Sequence, residues 1–204
     1  MLKQRVITAV ILAPLVLLAL FYLPLASFTV FICFVVSLAG WEWARLAGQE
    51  QQAVRVAFGA ALAIAVWVLA ANILPAYVLV AVPFWLFALF AVIYYPRNSF
   101  WQQVGLPWLM GVLVILPFAF GFLLLKQYQL QNELIVFILA LVWGADIGAY
   151  FSGRAFGKRK LAKDVSPGKS WEGVYGGIAA TIVIALIWSY WQQFDTVQAI
   201  IWVL

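Results

Sequence analysis

Between Trp143 and Gly177 the sequence runs WGADIGAYFSGRAFGKRKLAKDVSPGKSWEGVYGG, and six of the chain's twelve Lys and Arg residues fall inside it. The chain has no histidine, and its single cysteine, Cys33, lies far away in an apolar run. The usual general base and zinc ligand are therefore missing, as are a thiolate cluster and a disulfide framework. Chemistry has to come from carboxylates, Lys, Arg, hydroxyls or a bound metal. Asp146 supplies a carboxylate, and Tyr150 and Gly153 follow it at i+4 and i+7, on the same helix face. Arg154, Lys158, Arg159, Lys160, Lys163 and Lys169 come next, with Asp164 as the one acid among them. Gly153, Gly157 and the pair Pro167-Gly168 are expected to punctuate this basic run with tight turns. Such a loop presents ammonium and backbone N–H groups to phosphates.

The segment SPGKSWEG, from Ser166 to Gly173, resembles the end of a P-loop, whose pattern G-x-x-x-x-G-K-(S/T) joins a strand to a helix. Counting back from Gly168 puts Lys163 where the first glycine belongs, and the element before it reads as a membrane helix. The P-loop reading fails in spacing and in context. What remains is the entry into a new helix. Ser170 is placed to cap it, and the free N–H groups and positive dipole end beyond suit a phosphate. Trp171 suits the aromatic belt at a membrane interface. Glu172 is either a plain charge that favours the helix dipole or a ligand for a cation bridging phosphates.

The elements that must position these groups are membrane helices. Hydrophobic residues make up 67% of the chain and charged residues 9%, and the mean hydropathy is +1.06. With 12 Lys and Arg and 7 Asp and Glu, there is too little charge to coat a soluble core of 204 residues. Apolar runs long enough to cross a hydrocarbon core of ~30 Å fall at 6–23, 26–46, 56–73, 77–95, 106–125, 133–151 and 174–192, and another starts at Thr196. The fold expected is all-α, a polytopic transmembrane bundle of about seven complete spans plus the start of an eighth. It forms a single membrane domain over 1–204 with a basic cytoplasmic loop at 152–172. Pro24, Pro75 and Pro96 fall at turns, while Pro14, Pro83, Pro107 and Pro117 fall within helices or at their edges.

With the N-terminus in the cytoplasm, Lys3, Arg5, Arg45, Arg55, Arg97 and the six bases of the loop all lie on the cytoplasmic side, and Lys126 alone lies outside. Lys3 and Arg5 ahead of an apolar run also resemble a signal peptide, but no small-x-small cleavage site follows and a second span starts at once. In this frame Asp146 sits about 8 Å inside the cytoplasmic end of its helix, where an acid costs several kcal/mol if it faces lipid. It therefore works on a metal or substrate, or it pairs with a neighbouring Arg or Lys to hold the bundle. Gly144 and Gly148 form a small-xxx-small pair that lets another helix approach. Glu42, the other intramembrane acid, stands three residues from Arg45, which suggests a local ion pair and leaves open a share in the same polar cavity.

The 143–177 segment resembles the phosphatidate cytidylyltransferases, or CDP-diacylglycerol synthases. Their pattern runs Asp-x-x-Ala-Tyr, then Gly-(Arg/Lys)-x-x-Gly-(Lys/Arg), then Ser-Pro-x-Lys-(Ser/Thr)-x-(Glu/Gln)-Gly. Asp146, Ala149 and Tyr150 match the first part, and Gly153, Arg154, Gly157 and Lys158 the second. Ser166, Pro167, Lys169, Ser170, Glu172 and Gly173 match the third. LKQRVITAVILAP near the N-terminus and WEWARL from Trp41 to Leu46 are similar to the family as well. The resemblance implies that phosphatidic acid attacks the α-phosphate of CTP in a Mg²⁺-dependent reaction, giving CDP-diacylglycerol and pyrophosphate. It implies phosphate contacts from Arg154, Lys158 and Lys169, and phosphate orientation by Ser166 and Ser170. Tyr150 joins the substrate-binding set, and Asp146 or Glu172 holds or positions the cation. CTP, phosphatidic acid and membrane lipids are the expected partners, with no nucleic acid, and a homodimer stays open. The expected location is the bacterial inner membrane with the site facing the cytoplasm.

The family's acidic C-terminal signature, which carries the main metal carboxylates, does not occur before Leu204, so little turnover is expected from these 204 residues alone. The competing class is a transporter or channel with Asp146 and Glu42 along an ion path, for which discontinuous helices and inverted repeats are not evident. A non-catalytic scaffold is a third reading. A CDP-alcohol phosphotransferase would need a helix-borne multi-Asp motif that the chain lacks.

Overall fold

The apolar runs form helices. The computed structural model describes residues 2–95, 105–127 and 131–192, with side chains from residue 11 onward except at residue 131. In chain order the elements are α1 (Leu2–Tyr22), α2 (Leu25–Leu46), α3 (Gln52–Leu69), α4 (Ala76–Leu79), α5 (Ala81–Ile93), α6 (Leu106–Gln127) and α7 (Gln131–Phe156). A hairpin of β1 (Lys160–Ala162) and β2 (Ser166–Ser170) then leads into α8 (Trp171–Trp191). Among the described residues, six stretches are long and apolar enough to cross a membrane: 25–46, 52–72, 76–93, 106–127, 132–156 and 171–191. The chain is an integral membrane protein. Large side chains such as Phe34, Ile64, Leu86 and Ile187 are exposed, as they can be where hydrocarbon is the solvent.

Each span expected between 26 and 192 has a helical counterpart. The span expected at 6–23 falls on α1, where the apolar part with described side chains, Ile11–Tyr22, is shorter than a span. The run from Thr196, like Arg97, lies outside the described residues. The stretch expected as one span at 77–95 is broken at Val80, between α4 and α5. Pro83 stands in the first turn of α5, where its missing N–H costs no helix hydrogen bond. The hairpin is the one departure from an all-helical chain among the described residues.

The chain forms two compact units: residues 1–90 with 99–132, and residues 91–98 with 133–204. In the first, Gly40 and Gly59 bring α2 and α3 together backbone to backbone, since a Cβ on Gly40 would stand 2.8 Å from the Gly59 Cα. Trp43 of α2 lies on Gly111 of α6, and its Nε1–H donates to the Pro107 carbonyl at 2.7 Å. Phe28, Ile32 and Val36 on α2, and Ile115, Ala119 and Leu123 on α6, are buried at four-residue spacing, the period of one helix face. Lys126 at the end of α6 donates to the Leu20 carbonyl in the last turn of α1 and to Asn132 Oδ1 at 2.8 Å. A cation there complements the C-terminal dipole of α1.

In the second unit α7 and α8 run antiparallel. Gln192 Nε2 donates to Glu133 Oε2 at 2.9 Å, Phe137 stacks on Trp188 at 4.8 Å, and Gly144 faces Ile184. A Cβ on Gly148 would stand 2.5 Å from the Gly176 carbonyl oxygen and 2.8 Å from Ala180 Cβ. The expected small-xxx-small pair thus does meet a second helix, and glycines on both sides set the distance.

Candidate functional site

The site is built where α7 ends, the hairpin turns and α8 begins, all within the second unit. α7 runs five residues past the expected boundary at Phe151 and ends at Phe156. Contacts with α8 carry it on: Ser152 Oγ donates to the Glu172 carbonyl at 2.6 Å, and a Cβ on Gly153 would meet Ser170 Oγ at 3.3 Å. Gly153 and Arg154 are therefore helical, and Gly153 is a point of close approach where a turn was expected. The chain turns at Gly157, whose N–H donates to the Gly153 carbonyl at 3.0 Å. A Cβ there would run into that same carbonyl, so glycine is required for space. Gly168, expected at a tight turn, lies inside β2 in open space without a left-handed φ.

The hairpin pairs Lys160 with Ser170 and Ala162 with Ser166, with a register shift between the two pairs. Strands of three and five residues are too short for alternation to announce them. Ser170 caps α8 as expected: its backbone is extended, and its buried Oγ accepts from the Gly173 N–H at 3.2 Å. Ser166 is half-buried, and Lys169 is exposed on β2.

Glu172 is more occupied than the sequence suggests. Its carboxylate accepts from the backbone N–H of Lys158 at 3.1 Å and of Arg159 at 3.2 Å, and from Arg159 Nε at 3.4 Å. It ties the end of α7 to the start of α8 and leaves little oxygen for a metal. The bond from Glu172 first, and then one from Tyr175, hold the Arg159 guanidinium above its ordinary pKa. No sequence signal marks this tie, because donors 13 and 14 residues away lie beyond helical spacing.

Asp146 lies on the exposed face of α7 together with Tyr150, and Gly153 lies at the edge of that face. No described base comes within ion-pairing distance of Asp146. With α7 ending at Phe156, Asp146 is ten residues, or about 15 Å, from the helix end, deeper than the expected ~8 Å. It is also about 9 Å along the helix from Ser152, which holds the Glu172 backbone carbonyl, while the Glu172 carboxylate is held farther on, by Lys158 and Arg159. The two acids do not converge, and among the described residues no group of three or more Cys, Asp or Glu could enclose a metal. Asp146 retains free carboxylate oxygens, and Mg²⁺ needs only one or two carboxylates beside water and phosphate, so this residue fits such an ion as a single ligand. Arg154 Nη1 donates to Tyr150 Oη at 3.0 Å, and the side chains of Arg154 and Lys158 are otherwise open. The site thus has exposed Arg154, Lys158 and Lys169 on the segments that meet at a capped helix start, with Asp146 farther down α7.

Two other features fall in the first unit. Glu42 pairs with Arg45 and lies 3.9 Å from Arg55, whose guanidinium sits over Trp41 at 4.1 Å. The local ion pair expected there is present. A cavity of about 500 Å³ is lined by Val36, Ala39, Trp43, Val78, Trp85 and Phe118 among others, and offers no charged group to a polyphosphate.

A model of the cytidylyltransferase family matches residues 3–204. A phosphatidate cytidylyltransferase of Pseudomonas aeruginosa is 53% identical over 188 residues, covering 88% of this chain and 67% of the relative. One from Haemophilus influenzae is 38% identical over 214 residues, covering 95% and 74%. One from Brucella suis is 32% identical over 194 residues, covering 91% and 67%. No solved structure matches.

Proposed function

The chain belongs to the cytidylyltransferase family, among the phosphatidate cytidylyltransferases, and from that premise we propose that it transfers a cytidylyl group from CTP to phosphatidic acid. The products are CDP-diacylglycerol and pyrophosphate. A phosphate oxygen of phosphatidic acid bonds to the α-phosphorus of CTP, and the bond from that phosphorus to the bridging oxygen breaks. A phosphate monoester is already anionic at neutral pH, so no histidine is needed. Positioning and charge neutralisation dominate such a transfer.

The observation that carries this reading is that Arg154, Lys158 and Lys169 are exposed on the segments that meet at the start of α8, at the mouth of two membrane helices. There a polyanion arriving from water meets a lipid lying in the bilayer. Arg154, held by Tyr150, and the Lys158 and Lys169 ammonium groups bind the triphosphate. Ser166 orients phosphate oxygens from β2. Ser170 spends its hydroxyl on the Gly173 N–H and so acts by fixing the helix start. Glu172 positions the backbone of Lys158 and Arg159. Asp146 would hold Mg²⁺, which when bound screens the charge of the phosphates. Eleven of twelve bases fall on one side when the N-terminus is cytoplasmic, which supports a site facing the cytoplasm of a bacterial inner membrane.

Binding is the step these residues perform, so binding tests the reading. In nanodiscs, Mg-CTP is expected to bind and pyrophosphate to compete with it. Lys169→Ala is expected to weaken binding on the order of tenfold, the loss of one charge-assisted contact. Unchanged CTP affinity in a well-folded Lys169→Ala protein contradicts the assignment.

A further inference from the structure

We infer that the exposed part of the β-hairpin, with Lys160, Leu161, Lys163 and Val165, docks on an anionic phospholipid surface. None of the four has a part in the nucleotide site proposed above, and the inference does not depend on that site. Along the hairpin Ala162 and Ser166 are half-buried and Ser170 is buried, whereas Lys160, Leu161, Lys163, Asp164 and Val165 are exposed. Few hairpin side chains are covered, and the exposed ones include two ammonium groups beside two apolar side chains. Neither lysine makes an ion pair with a described residue, and Asp164 is the one acid on the hairpin.

The reach is short. Trp171 and Tyr175, with ring centroids 6.3 Å apart and both exposed, mark the level at which α8 leaves the bilayer. β2 has five residues, so the hairpin tip lies within about 16 Å of Trp171. The backbone bond from Trp171 N–H to the Arg159 carbonyl at 2.9 Å, and the tie of Arg159 to Glu172, fix the base of the hairpin to the helix start. An element held this close to the headgroups, with Leu161 and Val165 uncovered, gains by laying them into the interface while its lysines meet lipid phosphates. The occupant is the bilayer itself, chosen by charge complementarity.

The test places a polarity-sensitive fluorophore at Val165→Cys in a chain carrying Cys33→Ser, reconstituted without nucleotide. Nanodiscs of phosphatidylcholine alone are compared with nanodiscs containing phosphatidylglycerol. The label is expected to shift to the blue with phosphatidylglycerol, and added salt is expected to reverse the shift. Each lysine is expected to favour the docked state roughly fivefold, so Lys160→Gln with Lys163→Gln removes most of the shift while CTP binding stays unchanged. Equal emission in the two lipids, or a full shift in the double variant, overturns the inference. Loss of CTP affinity in the double variant also overturns it, by moving the lysines to the nucleotide.

Discussion

Ser170 and Glu172 at the helix junction and Asp146 farther down α7 are all polar groups, yet they have different duties, and substitution separates them. Ser170→Ala removes the acceptor of the Gly173 N–H and should lower stability by about 0.5–2 kcal/mol, read as a lower unfolding midpoint in detergent. Glu172→Gln keeps one oxygen but loses the pair with Arg159. Its loop should open, so that trypsin cuts after Arg159 and Lys160 faster than in the parent chain. Asp146→Asn should hold or raise thermal stability, because no described base depends on the charge and an acid in the membrane costs several kcal/mol. The same variant should lose the Mg²⁺ dependence of CTP binding, whereas a drop in stability with Mg²⁺ dependence intact would mean a structural pair. Most of these residues were legible in the sequence, since type and spacing mark a helix cap and an intramembrane acid. The use of Glu172 was not, because its partners are backbone N–H groups of a loop whose path no local pattern encodes.

At the scale of the element, the junction depends on how closely α7 and α8 approach. Gly148→Val puts atoms where the Gly176 carbonyl and Ala180 now stand. Overpacking of this kind costs about 1–3 kcal/mol, and the variant should lose both thermal stability and CTP binding. Gly168→Val is the control: a Cβ there meets nothing within 4 Å and the backbone is not left-handed, so stability should hold. The membrane helices were legible because a run of apolar residues has few alternatives in lipid. Their ends were less so. α7 continues through Ser152 and Gly153 because α8 packs against them, a tertiary contact that outweighs glycine's weak helix propensity. The hairpin escaped notice for the opposite reason, since its strands are too short to carry a period.

For the molecule as a whole, an integral membrane protein presents a cationic helix entry and an intramembrane acid with no described base beside it, and it belongs to a family of lipid-directed nucleotidyltransferases. The transporter reading loses ground on the same facts, since Glu42 is paired with Arg45 within its own helix. If the N-terminus is cytoplasmic, a membrane-impermeant thiol reagent should reach Gln49→Cys and Gly168→Cys from the cytoplasmic side and Leu74→Cys from the other, each in a chain with Cys33→Ser. The central claim is that CTP phosphates sit on the junction of α7, the hairpin and α8. A photoreactive CTP analogue, cross-linked in nanodiscs and mapped by peptide mass, tests it most directly. The label is expected within residues 154–172, with Mg²⁺ required and pyrophosphate competing. Labelling confined to other segments would contradict the account.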